Sequence, residues 1–135
     1  MSRISFSSGD APRAVGPYSQ AVESGDHVFL SGQTPIDPAT GLLVGGDVGE
    51  QADRCFDNLG AVLAAAGLTF DDVVKVNVYL TSMNDFAAMN EVYATRFTEP
   101  YPARTTVAVA GLPLGARIEI ELVARYSNCQ RSPAA

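Results

Sequence analysis

Three stretches of this sequence alternate apolar and other side chains at every second position. Val74, Val76, Val78 and Leu80 alternate with Lys75, Asn77, Tyr79 and Thr81. Ile118, Ile120 and Leu122 alternate with Glu119, Glu121 and Val123, and Thr105, Val107 and Val109 with Arg104, Thr106 and Ala108. A period of two sends successive side chains to opposite faces of a strand, so these segments build a sheet with one aliphatic face that must be covered. Tyr18–Ser24 and His27–Gly32 read as two further strands joined across Gly25-Asp26 like a hairpin, and Arg3–Ser7 adds an edge strand.

Only two segments carry the helical period. From Asp47 to Ala66 the apolar residues Val48, Ala52, Cys55, Phe56, Leu59, Val62, Leu63 and Ala66 fall on one stripe. Asp47 is placed to cap this helix, Glu50 stands at the capping-box position, and Gly67 suits the left-handed exit. A second helix is expected from Met83 to Phe97, with Ser82 and Asp85 as its start signal. Its stripe of Phe86, Met89, Asn90, Tyr93, Ala94 and Phe97 includes one amide, Asn90, which needs a hydrogen-bond partner. The order is β-β-β-α-β-α-β-β, an α+β chain with a mixed sheet and two helices packed on one face. The opposite face is assigned Arg104, Thr106, Glu119, Glu121, Asn77 and Tyr79. Tyr79, Val123 and Thr106 are unusual choices for a solvated face, so this reading leans towards burial by another subunit.

With 135 residues the chain forms a single domain, placed at 1–126, followed by a polar C-terminal tail at 127–135. The net charge of −6 repels phosphate backbones and disfavours nucleic acid as a partner. Two cysteines and one histidine exclude a disulfide scaffold, a four-thiolate zinc site and the usual histidine-based hydrolase centres, so no metal is expected. The start of the chain lacks the apolar core of a signal peptide, and no apolar run is long enough to cross a membrane. A cytoplasmic protein with reduced thiols is expected. Cys55 belongs to the core, His27 to the surface, and Cys129 to the tail.

Several short motifs could carry chemistry, and each has a plainer explanation. Gly16-Pro17-Tyr18-Ser19-Gln20 is at least a turn entering a strand. Ser31-Gly32 ends a strand where no side chain blocks the backbone, which could hold a carboxylate or could be a simple strand terminus. Arg104 is either a solvated edge charge, the commoner case, or a planar fork aimed at a carboxylate. Glu119 and Glu121 point to one face, as a solvated pair or, if covered, as a pair in which one handles protons.

Taken along the chain, these motifs closely resemble the Rid (reactive intermediate deaminase, YjgF) family. The resemblance rests on Gly16-Pro17-Tyr18-Ser19-Gln20-Ala21, Phe29-Leu30-Ser31-Gly32-Gln33, Asp37-Pro38-Ala39-Thr40-Gly41, Asn58-Leu59, Pro102-Ala103-Arg104-Thr105-Thr106-Val107 and Ile118-Glu119-Ile120-Glu121. It implies a chorismate-mutase-like (YjgF-like) fold, and a homotrimer with a central β-barrel-like core and sites between subunits. It also implies hydrolysis of 2-aminoacrylate/2-iminopropanoate and 2-iminobutanoate to 2-keto acids and ammonia. Carried over by motif, Arg104 binds the substrate carboxylate with help from the Gly32 N–H. Tyr18 and Ser31 line the pocket, with Tyr18 counted beside Arg104 and Glu119 among the catalytic residues, Glu119 handles the attacking water, and Asn90 organises the site from behind. Thr106 stands where many members have cysteine, which leaves only hydroxyl or backbone contacts there.

An imine conjugated to a carboxylate is already electrophilic, so orientation and a positioned water suffice and no cofactor is required. Two other classes stay open on the residues alone. One is a non-enzymatic small-acid binder with a regulatory or chaperone-like role. The other is an endoribonuclease, which the acidic charge and single histidine disfavour.

Overall fold

The computed structural model describes residues 3–127. Cys129 and the expected tail beyond Ser127 lie outside the described residues. The strands are β1 (Ile4–Phe6), β2 (Ala21–Ser24), β3 (His27–Gln33), β4 (Val73–Leu80), β5 (Ala103–Ala108) and β6 (Ile118–Arg125), and the helices are α1 (Val48–Ala65) and α2 (Phe86–Arg96). They form one six-stranded sheet in the order β1-β2-β3-β6-β4-β5. All neighbours are antiparallel except β4 and β5, which run parallel. A parallel pair needs a crossover connection, and α2 lies in it.

The sheet face made by Val28, Leu30, Val76, Val78, Leu80, Ile118, Ile120 and Leu122 is buried. It meets the α1 stripe of Ala52, Cys55, Phe56, Leu59, Val62 and Leu63. Phe56, Phe70, Tyr93 and Phe97 pack edge-on or tilted between the helices at 4.7–6.1 Å between ring centroids, a geometry that favours aromatic pairs beyond their buried area. Burial pushes the Cys55 thiol well above its ordinary pKa, with the Glu119 charge adding to it. Cys55 is thus the inert core thiol expected.

Helix α1 ends as its sequence dictates. The Asp47 side chain accepts from the Glu50 N–H at 2.9 Å. Gly67 takes φ 79°, its N–H bonds to the Ala64 carbonyl, and the Leu68 N–H bonds to Leu63. That pair of bonds is the Schellman exit. Gly25, at φ 59°, turns the β2–β3 hairpin.

Four expectations are corrected. The second helix begins later, because Ser82 caps a separate 3-10 turn at Met83–Asp85 before α2 starts at Phe86. Tyr18 precedes its strand, which runs only from Ala21, and the 16–20 segment is held instead by bonds from Ser31 to Gln20 and Ser19. Val74 is 41% exposed and Val73 is buried in its place, because β4 carries an extra residue against β6 between Val73 and Lys75.

The fourth correction bears on the site. Arg104 pairs with Val76 and Thr106 with Val78, so both lie on the helix-covered side of the sheet. Glu119 and Glu121 pair with Tyr79 and Asn77 and lie on the other side. Alternation shows that β5 has two faces. It does not show which of them meets α2, and α2 presents an amide and two aromatic rings that accept a guanidinium.

Candidate functional site

The sequence-predicted residues fall into two groups, one on each side of the sheet. The first is built around a bulge at the end of β3. Leu30 pairs with Leu122 and Gln33 with Ile120, so one extra residue is accommodated at Ser31-Gly32. Such an insertion re-aims the strand end. The Glu119 side chain lies over Gly32, and a Cβ there would collide with its carboxylate. Glycine is therefore required for this close approach.

Ser31 donates from Oγ to the Ser19 carbonyl at 2.7 Å, and its N–H bonds to Gln20 at 2.9 Å. These bonds fasten the segment that carries Tyr18, itself half-exposed. Tyr18, Ser31, Gly32 and Glu119 all line one cavity of about 870 Å³. Its far wall, at Thr34–Ile36, is held by the wholly buried Asn58, whose Nδ2 donates to the Thr34 and Ile36 carbonyls at 3.3 and 2.9 Å.

Burial holds the Glu119 carboxyl above its ordinary pKa, and the Glu121 charge adds to the shift. Glu121 is itself well supplied with donors, from Asn77 Nδ2 at 3.2 Å and from the Tyr79 hydroxyl. That bond, with burial and the two carboxylates, pushes Tyr79 up to about 12. The two carboxyls thus differ in surroundings: Glu121 accepts from Asn77 and Tyr79, whereas burial and the neighbouring charge make Glu119 take up a proton more readily than a free carboxyl does.

The second group surrounds Arg104. Its Nη1 donates to Asn90 Oδ1 at 2.6 Å. Its guanidinium lies 4.6 Å from the Tyr93 ring centroid and 5.5 Å from that of Phe86. Arg104 forms no ion pair among the described residues. One amide and two rings fix its plane and leave its charge uncompensated, which suits an anion arriving from outside. Asn90 thus has the partner its place on the stripe called for. Thr106 lies two residues along, its hydroxyl buried without a partner, as is that of Tyr93. Burial raises the Tyr93 pKa, and the Arg104 charge opposes this.

Sequence reasoning missed the aromatic bed under Arg104, although Phe86 and Tyr93 stood on the same helical stripe as Asn90. It also gave no role to Gln20, Asn58 or Arg13. For Asn58 the signal was an amide on the apolar α1 stripe, between Cys55 and Val62 at helical spacing. Among the described residues there is no group of three or more His, Cys, Asp or Glu able to hold a metal ion, and no helix long and apolar enough to cross a membrane.

Fold and site together define a class: small α+β proteins with two helices on one face of a mixed sheet and a carboxylate seated over a glycine at a strand bulge. The comparisons agree, because residues 8–126 match the family described as endoribonuclease L-PSP, and the chain belongs to that family, which includes the YjgF, RidA and RutC proteins. It is 52% identical over 126 residues to the protein DfrA of Myxococcus xanthus, covering 92% of this chain and 96% of that one. It is 50% identical over 114 residues to the 2-iminobutanoate/2-iminopropanoate deaminase of Mus musculus, covering 84% of each. The crystal structure of RidA from the Antarctic bacterium Psychrobacter sp. PAMC 21119 superposes with a TM-score of 0.88 at 47% identity, covering 92% of this chain and all of that one.

Proposed function

We propose that this chain hydrolyses small 2-imino acids and their enamine tautomers, 2-iminopropanoate/2-aminoacrylate and 2-iminobutanoate, to 2-keto acids and ammonia. The observation that carries the reading is the Glu119 carboxylate, half-buried over Gly32 in a cavity that it shares with Tyr18, with a raised affinity for a proton. The name of the mouse relative supports the substrate class.

The chemistry follows from the residues. Arg104 holds the substrate carboxylate in a planar fork, with the Gly32 N–H assisting. Asn90, Phe86 and Tyr93 keep that fork in place. Tyr18, Ser31 and Thr106 shape the pocket. Glu119 takes a proton from water as the water oxygen attacks C2, and passes that proton to the imine nitrogen, which gives the neutral carbinolamine. Glu119 then takes the hydroxyl proton as the carbonyl forms and the C–N bond breaks, and hands it to the departing nitrogen, so ammonia leaves and the carboxylate is restored. General acid–base help of about 10²–10⁴ together with orientation is enough for so electrophilic a carbon.

One chain cannot complete this site, because Arg104 and Glu119 stand on opposite sides of its sheet. Our reading therefore includes a homotrimer in which each site takes Glu119 from one protomer and Arg104 from the next. The uncovered sheet face supports it, since Phe29 and Val107 are 49% and 40% exposed there. The family's endoribonuclease description is the weaker guide to activity. The net charge is −6, and Arg13 is the single cation on the walls of the Glu119 cavity.

The test generates 2-iminobutanoate in situ with a threonine dehydratase and follows keto-acid release. Wild-type protein is expected to accelerate release, and Arg104→Lys to lose that acceleration while its melting temperature holds. An unchanged rate with wild-type protein overturns the proposal. Binding of 2-ketobutyrate without turnover would favour a small-acid sensor instead.

A further inference from the structure

We infer that Arg13 forms a second anion-binding position in the Glu119 cavity and that this chain accepts imino acids bearing an additional acidic group on their side chain. The inference rests on the proposed deaminase reading and names a substrate class within it.

The protomer's cavity measures about 870 Å³ before a neighbour's Arg104 enters it, which leaves room for a side chain longer than that of 2-iminobutanoate. Only two of its wall residues are charged, Glu119 and Arg13. A second cavity of about 460 Å³ adjoins it, sharing Arg13, Tyr18, Gln20 and Pro38 as a common wall, and there Arg13 is the sole charged residue. Arg13 forms no ion pair among the described residues.

Its presentation is built. Ala11 is buried in the core, and the Gln20 side chain, 5% exposed, donates to the Pro12 carbonyl at 2.8 Å and accepts from the Ser8 N–H at 2.7 Å. The backbone just before Arg13 is therefore fixed, and proline restricts it further. An exposed guanidinium without an ion pair among the described residues, on a pinned segment and lining the same cavity as the acid that works on C2, suits a distal carboxylate. Hydrolysis itself is unchanged: water adds to the C=N carbon, the carbonyl forms, ammonia leaves, and the distal acid only anchors.

The test compares 2-iminoglutarate with 2-iminopentanoate, both generated in situ by an amino-acid oxidase. They share chain length and differ in the terminal acid. Wild-type protein is expected to favour the dicarboxylate by about tenfold in kcat/KM. In Arg13→Ala the ratio is expected to fall to about one, while Arg3→Ala, which removes an exposed arginine outside both cavities, keeps the wild-type ratio. Calorimetry with 2-ketoglutarate and 2-ketopentanoate should show the same loss of preference. Equal handling of the two imines by wild-type protein overturns the inference and leaves the deaminase reading standing, as does an Arg13→Ala ratio that stays at the wild-type value. Turnover of neither these imines nor 2-iminobutanoate overturns both.

Discussion

Replacing Gly32 with alanine would put a methyl group where the Glu119 carboxylate now lies. The obstacle is the end of a flexible side chain, so the protein is expected to fold. Glu119 would swing aside, and keto-acid release should fall by at least about tenfold with little change in melting temperature. Under the proposed mechanism Glu119 also links activity to pH. Its folded carboxyl binds a proton more tightly than the same group in the unfolded chain, through burial and the Glu121 charge. Its contribution to stability is complete below the ordinary carboxylate range and is lost as pH rises through the higher folded value. Glu119→Gln removes that loss. The difference in melting temperature, variant minus wild type, should therefore grow as pH rises above the ordinary carboxylate range, while turnover falls by about 10²–10⁴. That Glu119 and Glu121 share a face was legible in their spacing. Their different surroundings were not, since Asn77 and Tyr79 reach Glu121 across the strand pair.

Among the elements, α1 was legible nearly to the residue because its long stripe, its aspartate cap and its glycine exit agree. Gly67→Ala places a Cβ at φ 79° and should cost about 1 kcal/mol in a denaturant titration. Asn58→Ala strips the Thr34 and Ile36 carbonyls of their donor and should cost about 1–3 kcal/mol. It also loosens the cavity wall, so KM is expected to rise. The strand bulges were illegible. An extra residue at Val74 or at Ser31-Gly32 leaves the local alternation plausible on both sides, and only pairing with β6 reveals the slip. The same limit misplaced Arg104. Position two residues from Thr106 says that they share a face. The parallel partner β4 and the α2 surface decide which face it is.

For the whole molecule, the proposal that neighbouring copies complete one another's sites has a direct check. Arg104→Ala and Glu119→Gln chains, each inactive alone, are unfolded together at equal amounts and refolded. Random assembly restores about a quarter of the sites, each with one intact glutamate and one intact arginine. Keto-acid release at about that fraction of wild type is the expected result, and none at all would mean that neighbouring copies do not build one site from these two groups. Phe29→Asp, on the uncovered face, should shift the protein to monomer in size-exclusion chromatography and remove turnover with it. The parallel seating of β5 has a last consequence. A full layer of backbone stands between Arg104 and Glu119, and no rotamer crosses it. On progressive dilution, specific activity should therefore fall away once encounters between copies become rare, and a solitary, correctly folded chain remains idle however much substrate surrounds it.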